Sequence, residues 1–137
     1  MREIKFRAWD KEKNEYFKPT YEAYRGKVEH LLITMTGRLT MRTLTEIIDE
    51  SMFPDRFIVE QYTGLKDKNS VEIYEGDVIT NGRNYAVIRF EHGAFEAYIP
   101  EMGIGLQIYE FDITHTLEVI GNIHEKSELL EVPNETL

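Results

Sequence analysis

The chain has no cysteine, one tryptophan and four prolines among its 137 residues. Without thiols there is no disulfide, no thiolate zinc site and no cysteine nucleophile, which fits a reducing compartment. No apolar run approaches the roughly 18 residues that a membrane span requires. The start, Met1-Arg-Glu-Ile-Lys5, lacks the basic-then-apolar order of a signal peptide, so a cytoplasmic location without membrane contact is expected. Internal repeats and low-complexity segments are also missing.

Catalytic and metal signatures are equally scarce. The histidines at 30, 92, 115 and 124 share no i, i+3 or i, i+4 spacing, so no helix face is equipped for metal, and no metal or cofactor is expected. No serine stands in a nucleophile-elbow context. Gly103-Ile-Gly105 lacks the third glycine and the helix of a nucleotide loop. Asp112 and His115 read as a surface hydrogen bond, and Asn134-Glu-Thr136 as a chance glycosylation match. The expectation is a protein that is not an enzyme.

What is present suits a folded domain, or a small domain with an appendage: 42% of residues are hydrophobic and 12% aromatic. The net charge of −9 is unevenly spread. Met1 to Glu50 carries 10 Lys+Arg against 9 Asp+Glu, net +1, and Ser51 to Leu137 carries 6 against 16, net −10. A surface of one sign repels a phosphate backbone, so nucleic-acid binding by the second part is disfavoured. The acidity serves solubility or docks on a basic partner surface.

Ile4, Phe6 and Ala8 alternate with Lys5, Arg7 and Trp9, which predicts a strand with the first three pointing inward. A polar turn at 10–14 and a return through Glu15–Lys18 make it a hairpin, and Val28–Met35 reads as a further strand. Leu44, Ile47, Ile48 and Met52 fall at helical spacing, and Thr43 precedes Glu46 by three, as in a capping box. A short helix is therefore expected over 43–52, closed by Pro54.

Beyond Pro54 the period becomes two. Strands are predicted at Arg56–Tyr62, around Val71–Ile73 and Val78–Ile79, and at Tyr85–Phe90, Ala94–Ile99, Gln107–Phe111 and Leu117–Ile120. Residues 63–70 read as a polar connection and Asn81-Gly82 as a two-residue hairpin turn. So many short strands must curl to hide their edges. The expected fold is α+β and predominantly β: an N-terminal hairpin with one short helix over 1–54, a small SH3-like β-barrel over 55–125, and a tail at 126–137. An open sandwich is the alternative.

Three blocks carry a family likeness: Met1–Asp10, the stretch Gln61–Thr80, and Val119–Glu125 followed by Glu128-Leu-Leu130. Together they resemble the YopX family of bacteriophage and prophage proteins. The resemblance implies a phage-encoded protein in the bacterial cytoplasm, oligomeric, with an SH3-type barrel in its C-terminal portion and no catalytic residues. Ser70 departs from the pattern, standing after Asn69 where a glycine is expected.

Within the second block, Gly64, Asp67, Asn69, Tyr74, Gly76 and Asp77 read as a structural turn motif. Gly76 suits a backbone conformation that a side chain resists, and the Asp77 carboxylate is placed to accept nearby backbone N–H groups. Glu75 with Asp77 as a metal or acid–base pair is the weaker reading. Arg7, Trp9, Tyr16, Phe17, Tyr21 and Tyr24 are the candidate interaction surface, since aromatics beyond the needs of a core favour subunit contact. The functional expectation is an accessory protein acting through protein–protein contacts and self-assembly, with a host or phage partner. A nucleic-acid-binding barrel is the alternative, and a small-molecule enzyme the least favoured.

Overall fold

The computed structural model describes residues 2–22 and 27–126. The chain divides into a larger unit, Met1–Phe6 with Glu60–Leu137, and a smaller one, Arg7–Val59.

In the smaller unit, β1 (Phe6–Asp10) and β2 (Glu15–Tyr16) form the expected hairpin, with Trp9 opposite Tyr16 and Asp10 opposite Glu15. The inward set differs from expectation. Ala8 and Trp9 are both buried, whereas Ile4 and Phe6 are exposed. Strict alternation fails because Ala8, Trp9 and Asp10 are buried in succession, whereas Phe6 at the start is exposed. An antiparallel sheet follows, β3 (Thr20–Glu22), β4 (Lys27–Ile33), β5 (Leu39–Arg42) and β6 (Ile47–Asp49), in chain order.

The helix expected over 43–52 is absent: Ile47–Asp49 is strand, and only Glu50–Met52 turns helically, as a short 3-10 segment. The Thr43 hydroxyl does accept the Glu46 N–H (3.2 Å), but the Glu46 carbonyl also accepts the Thr43 N–H (2.8 Å), which closes a hairpin loop between β5 and β6.

The larger unit takes up the rest of β7 (Phe57–Lys66), which pairs with β8 (Glu72–Tyr74). The polar connection begins later than predicted, because the strand continues through Thr63–Lys66 with an irregularity at Gly64, φ +88°. Next come β9 (Asp77–Thr80), β10 (Tyr85–Glu91), β11 (Ala94–Ile99), β12 (Ile104–Leu106), α1 (Ile108–Phe111) and β13 (Glu118–Asn122). Five of these strands build an antiparallel sheet in the order β12-β11-β10-β9-β13.

Ile79 faces Ala86 and Ile88 faces Ala97 across this sheet, and with Ile73, Ile99, Ile108, Phe111 and Leu117 they form one buried cluster. Each of the larger side chains contributes about 1.5–3 kcal/mol by leaving water. The predicted strand at 107–111 is instead the single helical turn α1. Ile108 and Phe111, three apart, both reach the core only when helical, and the Gln107 N–H donates to the Glu110 carboxylate (3.1 Å).

Asn81-Gly82 is also not a two-residue turn. Thr80 pairs with Tyr85, leaving a loop over 81–84 organised by the Asn81 side chain, which accepts the Arg83 and Asn84 N–H groups (2.9 Å each). The tight turn lies at His92-Gly93, where φ is +55° and +79°. Residues 123–125 form a turn, and the tail from 127 onward lies outside the described residues.

Ser70 occupies the left-handed region, φ +65°, in the turn where glycine was expected. Glycine adopts that conformation without strain, partly offset by its greater freedom in the unfolded chain. Ser70→Gly is therefore expected to stabilise the fold by about 0.5 kcal/mol, read as a higher urea midpoint at unchanged denaturant slope.

Candidate functional site

Arg7, Trp9, Tyr16 and Phe17 lie in or beside the first hairpin. Trp9 is buried edge-on against Tyr16 with centroids 5.0 Å apart, and the Arg7 guanidinium lies 4.3 Å from the Tyr16 ring centre. Phe17 is half-buried and meets Phe57 edge-on at 5.7 Å, and Phe53 meets the same ring at 5.8 Å. Tyr21 lies in β3 opposite Val28, and Tyr24 lies outside the described residues.

Two residues that sequence reading passed over hold this region. Asp10, 1% exposed, accepts Arg56 Nε (3.2 Å) on one oxygen and Nη2 (3.0 Å) on the other, together with the N–H groups of Glu12 (3.0 Å) and Lys13 (3.4 Å). Burial pushes the Asp10 carboxyl up, but Arg56 and the turn amides outweigh it and hold it below the usual range. The forked geometry fits a guanidinium and not an ammonium. A cleft of about 270 Å³ beside this pair is lined by Arg38, Leu39, Phe53 and Phe57 among others.

In the larger unit the turn motif is spread over two linked sites. Asp67 is buried and its carboxylate collects three backbone amides: Asn69 (2.8 Å) and Val71 (2.9 Å) on one oxygen, Val119 (2.9 Å) on the other. It thereby fixes the β7–β8 connection and the start of β13. Burial raises its carboxyl, and the three amides together bring it below the ordinary value. Asp77 accepts the Tyr74 N–H (2.8 Å), and Glu75 accepts that of Gln61 (3.0 Å), so each member of the acidic pair serves the backbone. Tyr74 lies against Tyr62 at 5.4 Å.

Gly76, φ +88°, lies directly against a residue the sequence did not single out. A Cβ at position 76 would come within 2.3 Å of the Glu60 carboxylate. Glu60 is 2% exposed, and its Oε2 is 2.8 Å from Nε2 of His124, whose side chain is 10% exposed. Asn122 sets the histidine in place by accepting the His124 and Glu125 N–H groups (2.9 and 3.0 Å). The Ile123 N–H bonds to the Gly76 carbonyl (2.9 Å).

A carboxylate on an imidazole is the geometry that orients a general base. Here both partners are almost closed to solvent. Among the described residues no cluster of three or more histidine, aspartate or glutamate side chains is placed to hold a metal. Asp112 and His115 approach to 3.9 Å, with the histidine fully in solvent.

These features define a small, predominantly β protein of two compact units, in which, among the described residues, buried carboxylates bind backbone amides, the Arg56 guanidinium and the His124 imidazole. No helix among the described residues is long and apolar enough to cross a membrane. The chain belongs to the YopX family: the family's model, described as YopX protein, matches residues 5–131. Two solved structures share the fold. Protein EF1440 from Enterococcus faecalis is 26% identical with a TM-score of 0.61, and yopX from Bacillus subtilis is 19% identical with a TM-score of 0.57. Each comparison covers 96% of this chain and 100% of the other. No curated protein matches.

Proposed function

We propose that this chain is a phage-encoded accessory protein that works by touching other proteins, including copies of itself, and not by catalysis. One observation carries the reading: the smaller unit buries few large apolar side chains and exposes many. Among the described residues its buried apolar side chains are Ala8, Trp9, Leu39 and Met41, while Leu32, Met35, Leu44, Ile47, Met52 and Ile58 are exposed. A unit of this size with no disulfide gains stability by covering such surface through association.

Charge supports the same division. Residues 7–59 carry 9 Lys+Arg and 9 Asp+Glu, net 0, whereas the larger unit carries 7 against 16, net −9. Repulsion between copies is thus concentrated on the larger unit, and the neutral unit is the one suited to self-contact. The larger unit's five-stranded order supports its reading as an SH3-like barrel. Phage origin rests on the family.

The purified chain should sediment as an oligomer at micromolar concentration. Leu44→Lys with Ile47→Lys should shift it toward monomer while the far-ultraviolet spectrum stays unchanged. A chain that remains monomeric at high micromolar concentration overturns the self-assembly reading.

A further inference from the structure

We infer that Asn81-Gly82 is a masked site of spontaneous covalent modification: deamidation that the folded loop suppresses and that local opening releases. The sequence is chemically primed, because glycine leaves the following amide nitrogen unhindered. In the reaction the Gly82 nitrogen loses its proton to solvent base and bonds to Asn81 Cγ. The Cγ–Nδ2 bond breaks, ammonia leaves and a succinimide ring forms. Water then opens the ring at either carbonyl, giving aspartate or isoaspartate.

The fold occupies every group that must move. The Gly82 N–H donates to Thr80 Oγ1 (3.1 Å), Asn81 Oδ1 accepts two backbone N–H groups, and Nδ2 donates to the Phe111 carbonyl (3.0 Å). Thr116 Oγ1 donates to the Asn81 carbonyl (3.0 Å), and Asn81 is only 8% exposed. Ring closure requires breaking several of these bonds together, so it proceeds only from an opened loop.

The product cannot close the loop again. An aspartate at 81 would set a carboxylate oxygen against the Phe111 carbonyl, two acceptors with no proton between them, in a nearly buried place. Isoaspartate would lengthen the main chain beside the Thr80–Tyr85 pair. Either product severs the tie from the β9–β10 loop to α1, so modification records an opening event irreversibly.

The test is peptide mapping by mass spectrometry of the intact chain incubated at mildly alkaline pH, in buffer and in urea above the unfolding midpoint. Modification at 81 should be slower by about tenfold or more in the folded chain. Thr116→Val removes one latch without altering the Asn-Gly pair and should speed modification in buffer while leaving the urea rate unchanged. Equal rates folded and unfolded, or no acceleration in Thr116→Val, overturn the inference.

Discussion

Gly76→Ala is expected to cost about 3–5 kcal/mol, enough to leave a domain at the low end of ordinary stability partly unfolded. Two causes act at once. An alanine at φ +88° is held in the left-handed region, and its Cβ falls on a carboxylate that is itself buried and bonded to His124. Glu60 cannot step aside without abandoning the imidazole, and the backbone cannot yield easily because the Gly76 N–H bonds to Ile88 (2.7 Å) and its carbonyl to Ile123.

The steric part can be isolated. On a Glu60→Ala background the same substitution should cost only the backbone strain, about 1–2 kcal/mol. The two changes are therefore strongly non-additive, as expected for residues in contact. Urea unfolding of the four chains completes the cycle. Equal cost on both backgrounds removes the contact with Glu60 as the reason for glycine.

Gly76 also marks how far the sequence could be read. Its conformation and the Asp77-to-Tyr74 hydrogen bond are local, settled within four residues, and both were legible. Glu60 and His124 are 64 positions apart, and neither carries a neighbouring signal that names the other. The family-like blocks Gln61–Thr80 and Val119–Glu125 nonetheless bond to each other, through Asp67 to Val119 and Gly76 to Ile123.

Thr43 and Glu46 make the hydrogen bond of a helix N-terminus, but the same bond closes a hairpin loop, and β-branched Thr43, Thr45, Ile47 and Ile48 prefer the strand. An isolated ten-residue helix would have needed a buried face, and Leu44, Ile47 and Met52 are exposed. At 107–111 the short apolar pattern suits a strand, but Ile108 and Phe111, three apart, equally fit one helical turn. Only the core they enter distinguishes the two.

Removing the Asp67 carboxylate is the other change with a large expected effect. Asp67→Ala strands three backbone N–H groups at a buried position, for a loss of about 3–5 kcal/mol. Asp67→Asn keeps the shape but replaces one acceptor oxygen by an NH₂ that meets a backbone donor. Oriented to satisfy Asn69 and Val71, it opposes Val119, so a cost of about 2–3 kcal/mol is expected at neutral pH.

The pH dependence separates charge from shape. The folded Asp67 carboxyl lies below its unfolded value of about 3.9, so it adds stability above that pH and loses it as pH falls through the folded value. The gap between wild type and Asp67→Asn should therefore narrow from about pH 5 downward. Asp10, held low by Arg56, remains in both chains, so each keeps an acid-sensitive component and only the difference reports on Asp67. A gap that stays constant down to acid unfolding would mean that the carboxylate's charge contributes nothing to joining the β7–β8 connection to β13.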